Sequence, residues 1–169
     1  MTTKPYFIKP HCLILVLVSF ISGCAATGPS YTSVKSTTPQ LQSDNARIYF
    51  LREGGFMNSG LTARVHLNGI KVVDLNMDGF AYVDRPAGNV LIMIDAPLNF
   101  GEAIKMAGLK SGKTYYILVA NDSGNVMAGS LFGAIGAASQ GGGRFAFYEI
   151  PEEMAQEQLK TKKLSGITK

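Results

Sequence analysis

The chain has 169 residues, 46% of them hydrophobic and 17% charged, a balance too apolar for a disordered polypeptide and enough for one ordinary domain. A large multidomain enzyme is excluded, and two cysteines, two histidines and no tryptophan leave little material for a zinc site or a thiol redox centre. The formal charge of +4 drops once Lys4 and Lys9 are assigned to a removable leader, leaving 14 basic against 12 acidic residues, so no nucleic-acid partner is expected.

Lys4 and Lys9 precede the apolar run Leu13 to Ile21, which is too short to span a bilayer and has the length of a signal-peptide core. It ends in Ile21-Ser22-Gly23-Cys24, which resembles the lipobox of bacterial lipoproteins: an aliphatic residue, two small residues that fit a peptidase cleft, then the cysteine that becomes the new N-terminus. That resemblance implies a signal peptide over residues 1–23 and a lipid on Cys24. The mature chain then keeps no free thiol, because Cys12 lies in the leader. Each buried CH2 contributes about 0.8 kcal/mol, so several acyl chains hold a protein on a membrane durably. Ala25 in place of an aspartate after the cysteine implies, by likeness to enterobacterial lipoproteins, the outer membrane facing the periplasm.

Residues 24–45 are rich in Ser, Thr, Pro and Gln, with Tyr31, Val34 and Leu41 as scattered hydrophobics, and read as a lipidated flexible tether. A β-rich domain is expected over 46–151. Ile48 to Leu51 is a short aromatic and aliphatic run, and Ala63, Val65 and Leu67 alternate with Arg64 and His66, the period of a half-buried strand. Asn68-Gly69, both tolerant of positive φ, predicts a tight hairpin with Ile70 to Leu75 as the return strand. Phe80 to Val83, Val90 to Ile94, Tyr115 to Ala120 and Arg144 to Ile150 continue the pattern. About seven strands so spaced predict a mainly β fold, a small antiparallel β-sandwich or barrel. Beyond Pro151, acidic residues lead and lysines trail over residues 152–169, which predicts a short C-terminal helix and tail.

The succession Ala46-Arg47-Ile48-Tyr49-Phe50-Leu51-Arg52, Val65-His66-Leu67-Asn68-Gly69, Arg85-Pro86-Ala87-Gly88 and Tyr115-Tyr116-Ile117 resembles bacterial lipoproteins grouped as domain of unknown function 2846. That resemblance implies an exported β-rich domain and no established activity. The Pro-Ala-Gly turn also resembles carbohydrate-associated modules with a Pro-Glu-Gly-Ala motif, although Glu is absent here.

Motifs for chemistry are sparse. Asp74-Leu75-Asn76-Met77-Asp78-Gly79 matches the first half of a calcium loop, but Arg85 stands at the twelfth position, where a glutamate should close the shell. A turn between two strands accounts for the same residues, and no metal is expected. Gly108 to Thr114 is one residue short of a phosphate-binding loop and leads into a strand-like segment where a helix should begin. His66 is read as solvated on an edge-like strand, no Gly-x-Ser-x-Gly elbow occurs, and nothing shows that Asp74 and Asp84 converge. No catalytic residue and no cofactor are therefore nominated.

Residues 126–143 carry Gly129, Gly133 and Gly136 among Ala, Leu, Ile and Phe, with Arg144 just beyond. This small-xxx-small spacing permits close helix approach. The segment reads as a membrane or self-association surface, or as a glycine-rich loop. The leading expectation is a lipid-anchored periplasmic interaction or structural module for an unknown envelope protein or glycan, without catalysis. The alternative is a glycan or peptidoglycan binding module that uses Tyr49, Tyr82, Tyr115, Tyr116 and Tyr148.

Overall fold

The computed structural model describes residues 25–55, 60–97, 101–121 and 144–167. Cys24 with Ile21, Ser22 and Gly23, and Gly129, Gly133 and Gly136, lie outside the described residues. In chain order the elements are α1 (Tyr31–Thr37), β1 (Asn45–Arg52), β2 (Ala63–Leu67), β3 (Ile70–Leu75), β4 (Gly79–Pro86), β5 (Gly88–Asp95), β6 (Glu102–Leu109), β7 (Thr114–Asn121), β8 (Phe145–Glu149), α2 (Glu152–Leu159), β9 (Lys163–Leu164) and β10 (Gly166–Ile167).

The strands form two five-stranded sheets, ordered β8-β7-β1-β4-β9 and β10-β3-β2-β5-β6. This is an open sandwich and not a closed barrel. Pairing is antiparallel except at β1–β7 and β4–β9. The alternation in β2 places Ala63, Val65 and Leu67 inward and leaves Arg64 and His66 half-buried on the other face, as period two requires. Ile48, Phe50, Val73, Ile92, Ile94, Val119 and Phe147 join them in the core between the sheets. The continuous run in β1 has a different cause. This central strand is buried at every position after Asn45, because Tyr49 and Leu51 on its second face pack with Phe80, Tyr116 and Leu118 beneath α1 and α2. The molecule is thus three layers deep over the β1 sheet.

The register sets which loops share an end. Leu51 pairs Phe80, Arg52 pairs Val119, Asn121 pairs Phe145, Ala63 pairs Leu75, and Asp95 pairs both Arg64 and Glu102. All these lie at one end, reached also by the β3–β4 turn to which Ala25 is bridged. The opposite end holds the Asn68-Gly69 hairpin, the Ala87 crossover and the turn at residues 110–113. Asn68 and Gly69 have φ of 51° and 80°, the left-handed pair that a two-residue hairpin demands.

Several expectations need correction. The stretch expected as a flexible tether is folded from Ala25 onward. Tyr31 and Val34, three residues apart on one face of α1, are both buried, and Ser30 caps the helix by accepting from the Ser33 N–H at 3.4 Å. Two apolar residues suffice there because the tyrosine-rich face of the β1 sheet is ready to receive them. The tail beyond α2 adds β9 to one sheet and β10 to the other. β6 is a strand beyond those expected, and its exposed and half-buried positions follow no clean alternation. His66 is on β2, interior to its sheet and not at an edge.

Candidate functional site

The first candidate is the clip that receives the start of the described chain. The Ala26 N–H donates to the Met77 carbonyl at 3.0 Å, the Gly28 N–H to Leu164 at 3.2 Å, the Leu164 N–H to Pro29 at 2.8 Å and the Tyr31 N–H to Lys162 at 3.1 Å. A side chain at Gly28 would strike the Leu164 carbonyl, so glycine is what lets the two chain segments run this close. Beneath the clip, Lys162 is buried and its Nζ donates to the Arg52 carbonyl at 2.5 Å, with Asp78 at 3.9 Å. Burial pulls the Lys162 amine below its ordinary value, against the attraction of Asp78 and Glu53. Arg52 is also buried; it donates to the Leu61 carbonyl and, at 3.1 Å, to the Leu75 carbonyl, with its guanidinium 4.8 Å from the Phe145 ring centre.

The second candidate is a slot of about 180 Å³ opening between β6 and β8, the strands at the same lateral edge of the two sheets. Buried Ile48, Ile92, Ile117 and Phe147 form its floor, and half-buried Lys105, Tyr115 and Glu149 its rim. The Tyr115 hydroxyl is fixed by accepting from the Lys110 N–H at 2.9 Å. The lining contains no serine, threonine, cysteine or histidine. It can hold a small apolar group with a polar end at the rim.

The outer face of the β2 sheet carries a third group. Arg64 Nε and Nη2 grip the two Asp95 oxygens at 2.9 and 2.6 Å, and His66 Nε2 lies 3.3 Å from Asp95 Oδ1. The hydrogen bonds that Arg64 donates to Asp95 raise its pKa. On the other sheet Arg47 holds Asp84 in the same bidentate way at 2.6 and 2.7 Å and lies over the Tyr82 ring. Such forks orient side chains firmly.

The sequence candidates are thereby dispersed. Asp74 and Asp84 sit on different sheets, the first bonded to Lys71 at 2.7 Å and the second to Arg47. Asp78 occupies a turn at φ 54° and faces Lys162, and among the described residues no group of three His, Cys, Asp or Glu converges. In the Gly108 to Thr114 stretch, the Gly112 and Lys113 N–H groups are taken by the Asn45 and Lys110 carbonyls, so they cradle nothing. His66 is not solvated but half-buried against Asp95.

Of the tyrosines considered for glycan stacking, Tyr49, Tyr116 and Tyr148 are buried. Tyr49 stacks on Tyr116 at 5.4 Å, and the Tyr116 hydroxyl donates to Glu152 and accepts from Gln156, both at 3.1 Å, tying α2 to the sheet. Burial raises the pKa of both Tyr49 and Tyr116. Sequence inspection could not see the clip, the slot or the Asp95 group, because each joins strands distant in the chain.

Residues 42–131, more than half of the chain, match the family model described as Protein of unknown function (DUF2846). The chain belongs to that family. No curated protein and no solved structure matches it.

Proposed function

We propose that this member of the DUF2846 family is a lipid-anchored periplasmic protein of the bacterial outer membrane. It acts as an interaction or structural module and not as an enzyme. The observation that carries the reading is the junction at Cys24: the lipobox-like Ile21-Ser22-Gly23-Cys24 ends one residue before Ala25, which is bridged to Met77. Cleavage before Cys24 and acylation of that cysteine leave every described contact of the chain from Ala25 onward in place. The apolar slot between β6 and β8 is a place where a partner's side chain or acyl group fits.

Cys24→Ala decides the anchor. The variant should lose labelled fatty acid and move from the detergent phase to the aqueous phase. If it keeps both label and detergent partitioning, the assignment is wrong. Burial of Tyr49, Tyr116 and Tyr148 weighs against a stacked-sugar surface. Co-sedimentation of the chain from Ala25 onward with purified cell wall would nevertheless replace the present reading by the glycan-binding one.

A further inference from the structure

We propose that the Ala25 end of the sandwich is the surface that lies against the lipid bilayer, pressed there by the clip at Met77 and Leu164. This rests on the reading of Cys24 as the acylated residue. The observation is how firmly Ala25 and the residues after it are held. Ala25 is bridged to Met77, Ala26 is buried, and Gly28 to Tyr31 are bonded in succession to the 162–164 segment. Cys24 is therefore one residue, about 3.6 Å of extended chain, from fixed backbone. Twenty loose residues would have had a reach of about 25 Å. With that slack absent, the acyl chains can enter the bilayer only if this end comes down to the headgroups.

The polarity of the strands determines what else arrives there. The described residues of the connections at this end are uncharged in most positions, as at Gly54, Gly55, Leu61, Thr62, Ala96 and Pro97. Of the carboxylates at this end, Glu53 and Asp78 lie near the buried Lys162 amine and Asp95 is held by Arg64, which lessens repulsion from anionic lipid, while Glu102 is exposed. The opposite end carries Lys110 and Lys113 in an exposed turn. An eight-residue strand such as β1 spans about 25 Å, so that turn stands well clear of the headgroups. The consequence is a fixed orientation, with strands upright on the membrane and the slot between β6 and β8 opening sideways into the periplasm.

The test uses the full acylated protein reconstituted in phosphatidylethanolamine–phosphatidylglycerol vesicles. Single cysteines at Gly60 and at Ser111, both exposed and at opposite ends, carry a fluorophore that nitroxide-headgroup lipid quenches. Quenching should be several-fold stronger at Gly60 than at Ser111, and the difference should collapse when a 20-residue Gly-Ser linker, long enough by the estimate above, is inserted between Cys24 and Ala25. Equal quenching at the two positions in protein that floats with the vesicles overturns the orientation while leaving the anchor standing. A difference that survives the linker overturns the clip as its cause. Failure to float or to incorporate labelled palmitate overturns the anchor itself and the orientation with it.

Discussion

Tyr31→Ala would show directly whether the N-terminal segment belongs to the folded body. The Tyr31 ring is 6% exposed and meets Phe80 and Tyr49 edge-on at centroid distances of 5.4 and 6.1 Å; its hydroxyl donates to Gln156 Oε1 at 3.0 Å. Burial of the ring contributes about 2 kcal/mol, the two aromatic pairs about 1 kcal/mol each, and the hydrogen bond about 1 kcal/mol. Truncation should therefore cost about 3 to 5 kcal/mol, the usual scale for large buried aromatics. Tyr31→Phe keeps both ring contacts and should cost about 1 kcal/mol. A seven-residue helix does not persist alone, so the alanine variant should release α1 while the two sheets endure. Urea denaturation with amide exchange on the chain from Ala25 onward reads both effects. The Gly28, Tyr31 and Val34 amides, bonded to Leu164, Lys162 and Ser30, should be protected in the native protein and exposed in the variant. Unprotected amides at these three positions in the native protein, with an unchanged urea midpoint for Tyr31→Ala, would refute the docking and restore a loose tether.

Three further outcomes are expected. Gly69→Val should lower stability by about 1 to 3 kcal/mol, purely from strain at φ 80°, since a Cβ there meets open space; an unchanged denaturation midpoint would contradict the turn. The Lys162 amine is held below its ordinary 10.5 by burial, so as pH rises toward 10.5 the unfolded chain retains the proton that the folded chain releases. Native stability relative to Lys162→Met should then climb with pH in that window and fall as pH drops through the folded-state value; parallel pH curves for the two proteins would refute it. Phe147→Ala, at a fully buried position on the slot floor, should cost about 3 to 5 kcal/mol and increase the uptake of an apolar dye, measured by fluorescence titration; unaltered stability would mean the slot floor is not packed as described.

How much of this was legible depended on the range of the interaction. The Asn68-Gly69 hairpin and the inward face of β2 were readable because turn chemistry and period two act within a few residues. The sandwich class followed from repeated signals of that kind. The burial of β1 on both faces could not be separated from any short apolar run, because the layer covering Tyr49 comes from α1 and α2, far away in sequence. Ser and Thr in residues 30–38 suggested a tether, yet the same hydroxyls cap the helix and bond its carbonyls, with Ser30 accepting at one end and Thr38 donating to Val34 at 2.8 Å at the other. The pairing of Arg64 and His66 with Asp95 crosses from β2 to β5, and no local pattern announces it.

The clip also bears on the order in which the molecule is made. Gly28 and Pro29 exchange hydrogen bonds with Leu164, β10 closes the free side of β3, and the parallel β1–β7 ladder joins Arg47 to Thr114. Non-local contacts of this kind come late and slowly. In synthesis from the N-terminus, Gly28 to Tyr31 thus precede their partners at residues 162–164 by most of the domain. The clip can close only after Lys162 to Leu164 have been made. Truncation before Lys162 would remove the partners of Gly28, Pro29 and Tyr31 along with β9 and β10.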